Sequence, residues 1–600
     1  MKQQTSIEIT QRTLLPRSTK ERDKTYRGSL RIGCALLALV LAGTVAFAAP
    51  AAGQPAQARP GQPVSSQAAM PKPGTGHFVQ RFTRELRSNG LEVSVGYPRL
   101  YTQADCADSY TVFRNCFGNN PASPYLMPIV KPWPEEYVDP AMKDGFGKTR
   151  PGYSATYRLD PREAIIVFGR MPPPAKYMGL QTWIFGTKWA RERAPWDEKA
   201  CLFYASQAKE MTQYFFSTFP PFSNITHCFT RPDAEGRVIS FSSISNNINN
   251  VVMSHQSGDP WGEIRYFVIT PDRLTDGAVR EALLGLGVDE GDIFTEEIPE
   301  SFQDSDYDPP FRFGQSPMVG PLGLDQDAVD FTTAIRYAMP ENKSLANAWL
   351  KSLPLTVLRV RRPSWGPDPE PYGSREADVR TAEDESGLSN GLHDLIDAVQ
   401  LRAATQGWVL ELGEDDELGR EMIDIVEVLG QFGPACRAIG MNCLGDNQDA
   451  SYFFVPPSDL DIGKIYAAVG TLATETGNAT YVGLSVNDAS LLKGAFNVDH
   501  TKLKGSANSY DHVVATEKLE KFFIHFFARD CGAIADLTLG ECTTVTPEMI
   551  PLRGDDTALG DPELHGQFSM AVRSYVKPGS ERGPDPSKQL APRALTFSYR

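Results

Sequence analysis

Two cysteines, Cys436 and Cys443, bracket a short loop, and four oxygen-bearing residues follow it, Asp446-Asn447-Gln448-Asp449. Carboxylate and amide oxygens at such close spacing are the ligand types that calcium takes. The EF-hand order is not met, because Ala450 stands where a third acidic ligand is needed and no glycine or terminal glutamate follows in register. The cluster also leads into Tyr452-Phe453-Phe454-Val455, a run that predicts a strand. Ligands of open parallel sheets lie beyond the carboxyl ends of strands, and this cluster lies at an entry. The residues therefore read as a disulfide-clamped, solvated loop without a metal.

The carboxyl ends of the predicted strands hold the better candidates. Ser458 and Asp459 follow the first strand, and Asn487 and Asp488 follow the second, in Ser485-Val-Asn-Asp-Ala-Ser490. Small polar side chains past two buried strands converge if the strands are neighbours. The plainer reading of the same residues is a helix cap at Ser458 and an Asx turn at Asn487. Asp272, Glu296 and Glu297 hold the equivalent places earlier in the chain.

Acid–base and nucleophilic chemistry have little to rest on. No H-E-x-x-H occurs among the eight histidines. His500 and His512 each follow an aspartate and are candidate bases for a serine near 490, but no G-x-S-x-G elbow supports them. The nearest approach, Gly314-Gln-Ser-Pro-Met-Val-Gly320, has the wrong spacing. Glycine-rich phosphate loops are absent, so nucleotide-dependent activity is not expected, and no cofactor is predicted. His255 and Trp261 lie among turn formers and suggest a surface turn or binding loop.

The compartment follows from the N-terminus and the cysteines. Arg27 and Arg31 precede an apolar run from Ile32 that ends in Ala46-Phe47-Ala48, the pattern of a secretory signal cleaved after Ala48. An uncleaved signal anchor is the alternative. Removing the +5 of residues 1–48 takes the net charge from −15 to −20. So acidic a surface argues against nucleic acid and anionic membranes as partners. Eight cysteines then remain, in four local pairs: Cys106 and Cys116, Cys201 and Cys228, Cys436 and Cys443, Cys531 and Cys542. An even count in an exported chain reads as disulfides, and sequential pairing closes the shortest loops.

The elements that position these residues are mixed. Residues 49–76 are a Pro/Ala/Gln-rich tether. A proline- and charge-rich stretch at 362–390 reads as a linker or exposed loop between lobe one (77–361) and lobe two (391–600). Asn120 to Pro140 reads as an irregular wrap. Ala164–Phe168 and Leu180–Phe185 are predicted strands. Ile264–Thr270, a helix from Asp276 to Leu286 and Asp292–Ile298 form a predicted βαβ unit. Lobe two is read the same way: a strand at 452–455 stopped by Pro456-Pro457, a helix capped by Ser458 and running to Gly477, and a return strand at 479–486. The similar runs 266–274 and 452–460 raise an internal duplication. Leu519, Phe522, Phe523, Phe526 and Phe527 have helical spacing and predict a core helix.

The fold class expected is therefore α/β (mixed α+β), two lobes each with a βαβ-type unit, plus β-rich and irregular disulfide-linked segments. The expected function is an exported, secreted or periplasmic protein that binds a small molecule or protein partner without catalysis. An exported hydrolase of esters or polymers, working through the strand-end residues, is the alternative, and a surface-anchored structural protein is a third.

Overall fold

The computed structural model describes residues 76–113, 116–139, 144–188, 237–299, 301–303, 316–317, 321–376, 378–412, 418–424, 443–511 and 516–600. The predicted signal, the tether up to residue 75, Cys201, Cys228, Cys436 and His512 lie outside the described residues.

The chain is mixed α/β, as its patterning predicts. The first half carries ten principal strands: β1 (Glu92–Val95), β2 (Tyr97–Tyr101), β3 (Tyr125–Ile129), β4 (Glu163–Arg170), β5 (Ala175–Lys188), β6 (Arg237–Ser243), β7 (Ile264–Thr270), β8 (Ile293–Glu297), β9 (Asp330–Pro340) and β10 (Leu355–Arg361). The second carries ten more: β11 (Trp408–Leu410), β12 (Ile423–Asp424), β13 (Ala450–Asp459), β14 (Lys464–Thr471), β15 (Tyr481–Asp488), β16 (Lys493–Asp499), β17 (Phe522–Ala528), β18 (Cys542–Thr544), β19 (Gln567–Tyr575) and β20 (Arg593–Tyr599).

The two halves have one topology. In the first, one sheet runs β1-β10-β4-β7-β8 and a second β2-β3-β9-β5-β6; in the second, the orders are β11-β20-β14-β17-β18 and β12-β13-β19-β15-β16. Each strand thus recurs ten places later. The only parallel pairs among these strands also correspond, β7 with β8 and β17 with β18. Register repeats too: Tyr177 faces Ala338 and Leu180 faces Ile335, while Tyr481 faces Tyr575 and Leu484 faces Val572.

Layering explains the residue types. Helices α1 (Gly76–Ser88) and α4 (Arg273–Gly285), numbered in chain order after α2 (Cys106–Phe113) and α3 (Asn250–Ser257), cover one face of β4 and β7. The other face packs on the second sheet through Val167, Phe267, Leu180 and Ile335. In the second half α6 (Ser389–Thr405), which follows α5 (Lys343–Ser352), plays the part of α1 over Ile465, Val469 and Phe526. Strands covered on both faces read as continuous apolar runs rather than alternations. Every residue of β17, Phe522-Phe-Ile-His-Phe-Phe-Ala528, is buried.

That double burial overturns two predicted helices. An apolar run without gaps satisfies a helical period as well as any other, so Phe522–Phe527 looked helical and is a strand. The stripe Ile462, Ile465, Tyr466, Val469 and Leu472 belongs to β14 and its flanks, and Gly463 turns at φ +84° before it. Ser458 caps no helix; its hydroxyl donates to the Pro456 carbonyl (3.2 Å). β13 passes through Pro456-Pro457 with a register shift between Val455 and Ser458. The βαβ unit of lobe two is therefore not at 452–486; it is β17 and β18, which pair in parallel with the short helix Ala535–Thr538 between them. The unit read in lobe one is present, β7–α4–β8, with Asp272 rather than Asp276 as its helix cap. The irregular wrap at 120–140 contains strand β3.

The duplication exists, but not in the register first suggested. Residues 264–270 form β7, whose counterpart is β17, while 452–455 belong to β13, whose counterpart is β3. Three short motifs carry the true register. Cys116-Phe-Gly118-Asn-Asn120 matches Cys443-Leu-Gly445-Asp-Asn447, with Tyr125 and Tyr452 each nine residues after the cysteine. Tyr177-Met-Gly-Leu180 matches Tyr481-Val-Gly-Leu484, and Phe331-Thr-Thr-Ala-Ile-Arg336 matches Phe568-Ser-Met-Ala-Val-Arg573.

Disulfides join Cys106 to Cys116 and Cys531 to Cys542. Cys443 is also disulfide-bonded, to a residue outside the described ones. The stretch expected as a linker, 362–390, sends Arg362 to Asp272 (2.8 Å) and Arg380 to the carbonyls of Ala450 and Gln448. Among the described residues no helix is long and apolar enough to cross a membrane.

Candidate functional site

The halves are joined by an exchange of their Cys-x-Gly loops. Phe117 and Gly118 have φ +61° and +58°, and Leu444 and Gly445 have +54° and +68°. Two consecutive left-handed residues turn the loop outward, so that it pairs with the opposite half. Cys116 and Gly118 donate their N–H groups to the carbonyls of Leu491 and Leu492 (2.7 Å each). Cys443 and Gly445 donate theirs to Ser240 (2.8 Å) and Phe241 (2.9 Å).

Each exchanged loop is then held by an arginine of the other half. Arg336 on β9 donates through Nη2 to the Gly445 carbonyl (2.6 Å) and through Nη1 to Gln181 Oε1 (3.1 Å). Arg573 on β19 donates through Nη2 to the Gly118 carbonyl (2.8 Å) and through Nη1 to Ser485 Oγ (2.6 Å). Asn120 donates to the Tyr481 hydroxyl and Asn447 to the Tyr177 hydroxyl, each at 3.2 Å and each across the junction.

A cavity of about 80 Å³ opens between these loops, and Arg336, Arg573, Tyr125, Tyr452, Asp446 and Asn487 are among its lining residues. Both guanidiniums are buried, and among the described residues neither lies within ion-pair distance of a carboxylate. Each donates two hydrogen bonds to protein, which leaves three of its five N–H groups without a protein acceptor among the described residues. Arg336 also sits over the rings of Trp183 (4.7 Å) and Tyr125 (5.3 Å), and Arg573 over Tyr452 (5.9 Å). The Asn487 side chain is 2 % exposed, and its Oδ1 has no hydrogen-bond partner among the described residues.

The sequence alone reads Asp446–Asp449 as a solvated loop, and the structure corrects that. All four residues are buried at the junction. Asp446 accepts from the Ser243 N–H (2.7 Å) and hydroxyl, and Asp449 accepts from Tyr177 (2.8 Å) and Asn249 (2.9 Å). Burial pushes the Asp446 carboxyl up to about 6, against the Ser243 hydrogen bonds and the charges of Arg336 and Arg380. Among the described residues no group of three or more His, Cys, Asp or Glu side chains is placed to hold a metal.

No protein-family model matches the sequence, and no curated protein matches it. The chain is similar to an uncharacterized protein from Burkholderia cenocepacia of known crystal structure, at 11% identity and a TM-score of 0.30, over 86% of this chain and 87% of that one. At that TM-score the likeness carries no argument.

The strand-end residues are placed as follows. β13 and β15 run parallel with β19 between them, so Ser458 and Asp488 both stand opposite Phe568. They share one sheet end but are about 10 Å apart across β19. Asn487 lines the junction cavity, while Ser458 lines a separate groove with Arg420 and Tyr466. Asp459 is ion-paired with Arg553 at the surface. Asp488 is buried and accepts from the Ser490 hydroxyl (2.7 Å), and burial raises its carboxyl to about 6. Asp272 caps α4 and pairs with Arg362, Glu296 accepts from Thr182, and Glu297 lies 3.9 Å from Arg375. His500 packs edge-on against Tyr481. His255 pairs with Glu581 at the surface, and Trp261 is half-buried against the core rather than offered as a contact surface.

Arg336 and Arg573 escape a reading of the sequence that looks for acids, bases and nucleophiles. The signal that finds them is the repeated Phe-x-x-Ala-Ile/Val-Arg.

Proposed function

We propose that this is an exported, disulfide-stabilised protein that binds a small polar ligand, without catalysis, in the cavity between its two halves. The observation that carries this is the convergence of Arg336 and Arg573, from equivalent strands, on one cavity where neither lies within ion-pair distance of a carboxylate among the described residues. A buried charge without a partner is costly, and a ligand that completes its hydrogen bonds offsets that cost. Sites between pseudo-equivalent units with few convergent polar groups are the usual form of small-molecule sites. Secretion or a periplasmic location is supported by the Cys106–Cys116 and Cys531–Cys542 bonds, which persist in oxidising compartments.

Hydrolysis has weaker support. Asp488 and Ser490 are hydrogen-bonded, and His565 lies close by, with neither ring nitrogen hydrogen-bonded among the described residues. All three are buried at 3 % exposure or less, so a substrate does not reach them in this conformation.

The test is thermal unfolding of the purified chain against a panel of sugars, amino acids, carboxylates and phosphates, repeated with Asn487→Ala. A ligand of the cavity raises the midpoint of the parent and raises it less in the variant. If no compound shifts the parent, or the shift is unchanged in the variant, the cavity is not the ligand site.

A further inference from the structure

We propose that the ligand is a small oxyanion, carboxylate or phosphate in class, and that Arg573 is the residue that takes its charge. This rests on the cavity being the ligand site.

The argument comes from where the two halves differ. The residue after Gly445 in one exchanged loop is Asp446, and the residue after Gly118 in the other is Asn119. Because the loops are exchanged, Arg336 holds the loop with the carboxylate and Arg573 holds the loop with the amide. The charge of Arg336 acts on Asp446 and stabilises its ionised form. The loop that Arg573 holds has Asn119 at the equivalent position. Of two matched guanidiniums, one holds a loop that carries a carboxylate and the other a loop that carries an amide, and neither lies within ion-pair distance of a carboxylate among the described residues.

Asn487 supplies the second half of the site. It lies two residues after Ser485, to which Arg573 donates, and both face β19 in unbroken register. Residues two apart on a strand share a face, so the Asn487 amide stands on the same side as the Ser485–Arg573 bond. An anion there receives N–H groups from Arg573 and from the Asn487 amide. The unpartnered Oδ1 accepts from a hydroxyl or acid proton on the same ligand. A cavity of about 80 Å³ suits a small group of a few heavy atoms.

The probes are inorganic phosphate, glycolate and its neutral isostere glycolamide, titrated by calorimetry into the full chain, into Asn119→Asp and into Asp446→Asn. Asn119→Asp places a carboxylate where the other loop has one and leaves Arg573 intact. Phosphate or glycolate is expected to bind the parent, glycolamide to bind more weakly, and Asn119→Asp to lose about tenfold in anion affinity. Asp446→Asn, which frees Arg336, is expected to retain or strengthen the binding. Circular dichroism and the unfolding midpoint establish that both variants fold; if Asn119→Asp does not, Asn119→Glu and the anion-over-glycolamide preference of the parent decide. Equal binding of glycolate and glycolamide, or anion binding indifferent to the charge at 119, overturns the proposal. If anions fail while a neutral compound binds and loses affinity in Asn487→Ala, the cavity remains the ligand site and only its charge preference is wrong. If nothing binds in either experiment, both readings fall.

Discussion

Arg336 donates to the carbonyl of Gly445, 2.6 Å away and in the other half of the chain. The mirrored bond, Arg573 to Gly118, closes the same clasp from the opposite side. Each carbonyl is deprived of water by the exchange, and each arginine restores its hydrogen bond. Replacing Arg336 with Met should leave the Gly445 carbonyl and the Gln181 amide without donors. A loss of about 2 kcal/mol or more in urea unfolding is expected, the magnitude of breaking hydrogen bonds to a buried charge. Arg336→Lys, which keeps a charge but not the fork, should recover only part of it.

Gly483 is small because Tyr481 needs the room. A Cβ there would lie 2.9 Å from both the Tyr481 hydroxyl and Asn497 Oδ1, and at the equivalent Gly179 it would lie 2.5 Å from the Tyr177 hydroxyl. Gly483→Ala should push Tyr481 off its bond from Asn120 and cost on the order of 1–3 kcal/mol. Gly277, inside helix α4 with open space around its Cβ, is the control. Gly277→Ala should stabilise by roughly 0.5–1 kcal/mol. Chemical denaturation of the two variants measures both signs.

Glu296 is buried and accepts from the Thr182 N–H (2.6 Å) and hydroxyl, and burial raises its carboxyl from 4.5 to about 7. A carboxyl raised on folding takes up a proton between the two values. Stability is then full below the unfolded value and is lost as pH rises through the folded one. Glu296→Gln keeps the shape and cannot ionise. The variant should therefore be the more stable form above about pH 7, and its advantage should shrink towards pH 4, by on the order of 1–3 kcal/mol across that range. Denaturation midpoints at four pH values show whether the two curves converge at low pH.

The two described disulfides differ in access. Cys106 and Cys116 are each 3 % exposed, while Cys531 and Cys542 are half-buried. A mild reductant should open Cys531–Cys542 first, because thiolate attack needs access. Opening Cys106–Cys116 should cost about 3 kcal/mol on loop entropy, and should also loosen the exchanged loop that begins at Cys116. Mass spectrometry of alkylated time points gives the order, and unfolding of the Cys106→Ser, Cys116→Ser pair gives the cost.

The cysteine pairs 106 with 116 and 531 with 542 were legible because, among the many pairings eight cysteines allow, sequential ones close the shortest loops at the lowest entropy cost. The β7–α4–β8 unit was legible because its helix has one buried face, Val279, Ala282 and Leu283, and so keeps a true helical period. β14 and β17 were not, since strands covered on both faces are apolar at every position and period carries no information there. The partner of each strand was hidden for another reason. The halves share topology while retaining only short identical runs, so Tyr-x-Gly-Leu and Phe-x-x-Ala-Ile/Val-Arg are easily passed over.

The candidate site divides in the same way. By itself the sequence determines the oxidising chemistry of the cysteines, the acidic surface, the mixed α/β character and the polar nature of Asn487 and Asp446. Only the tertiary structure decides that Arg336 and Arg573, 237 residues apart, face one cavity, and that Asp446–Asp449 is buried rather than solvated. The physical reason is the loop exchange. Burial of a polar loop depends on whether another surface supplies its hydrogen bonds, and here that surface is the other half of the chain.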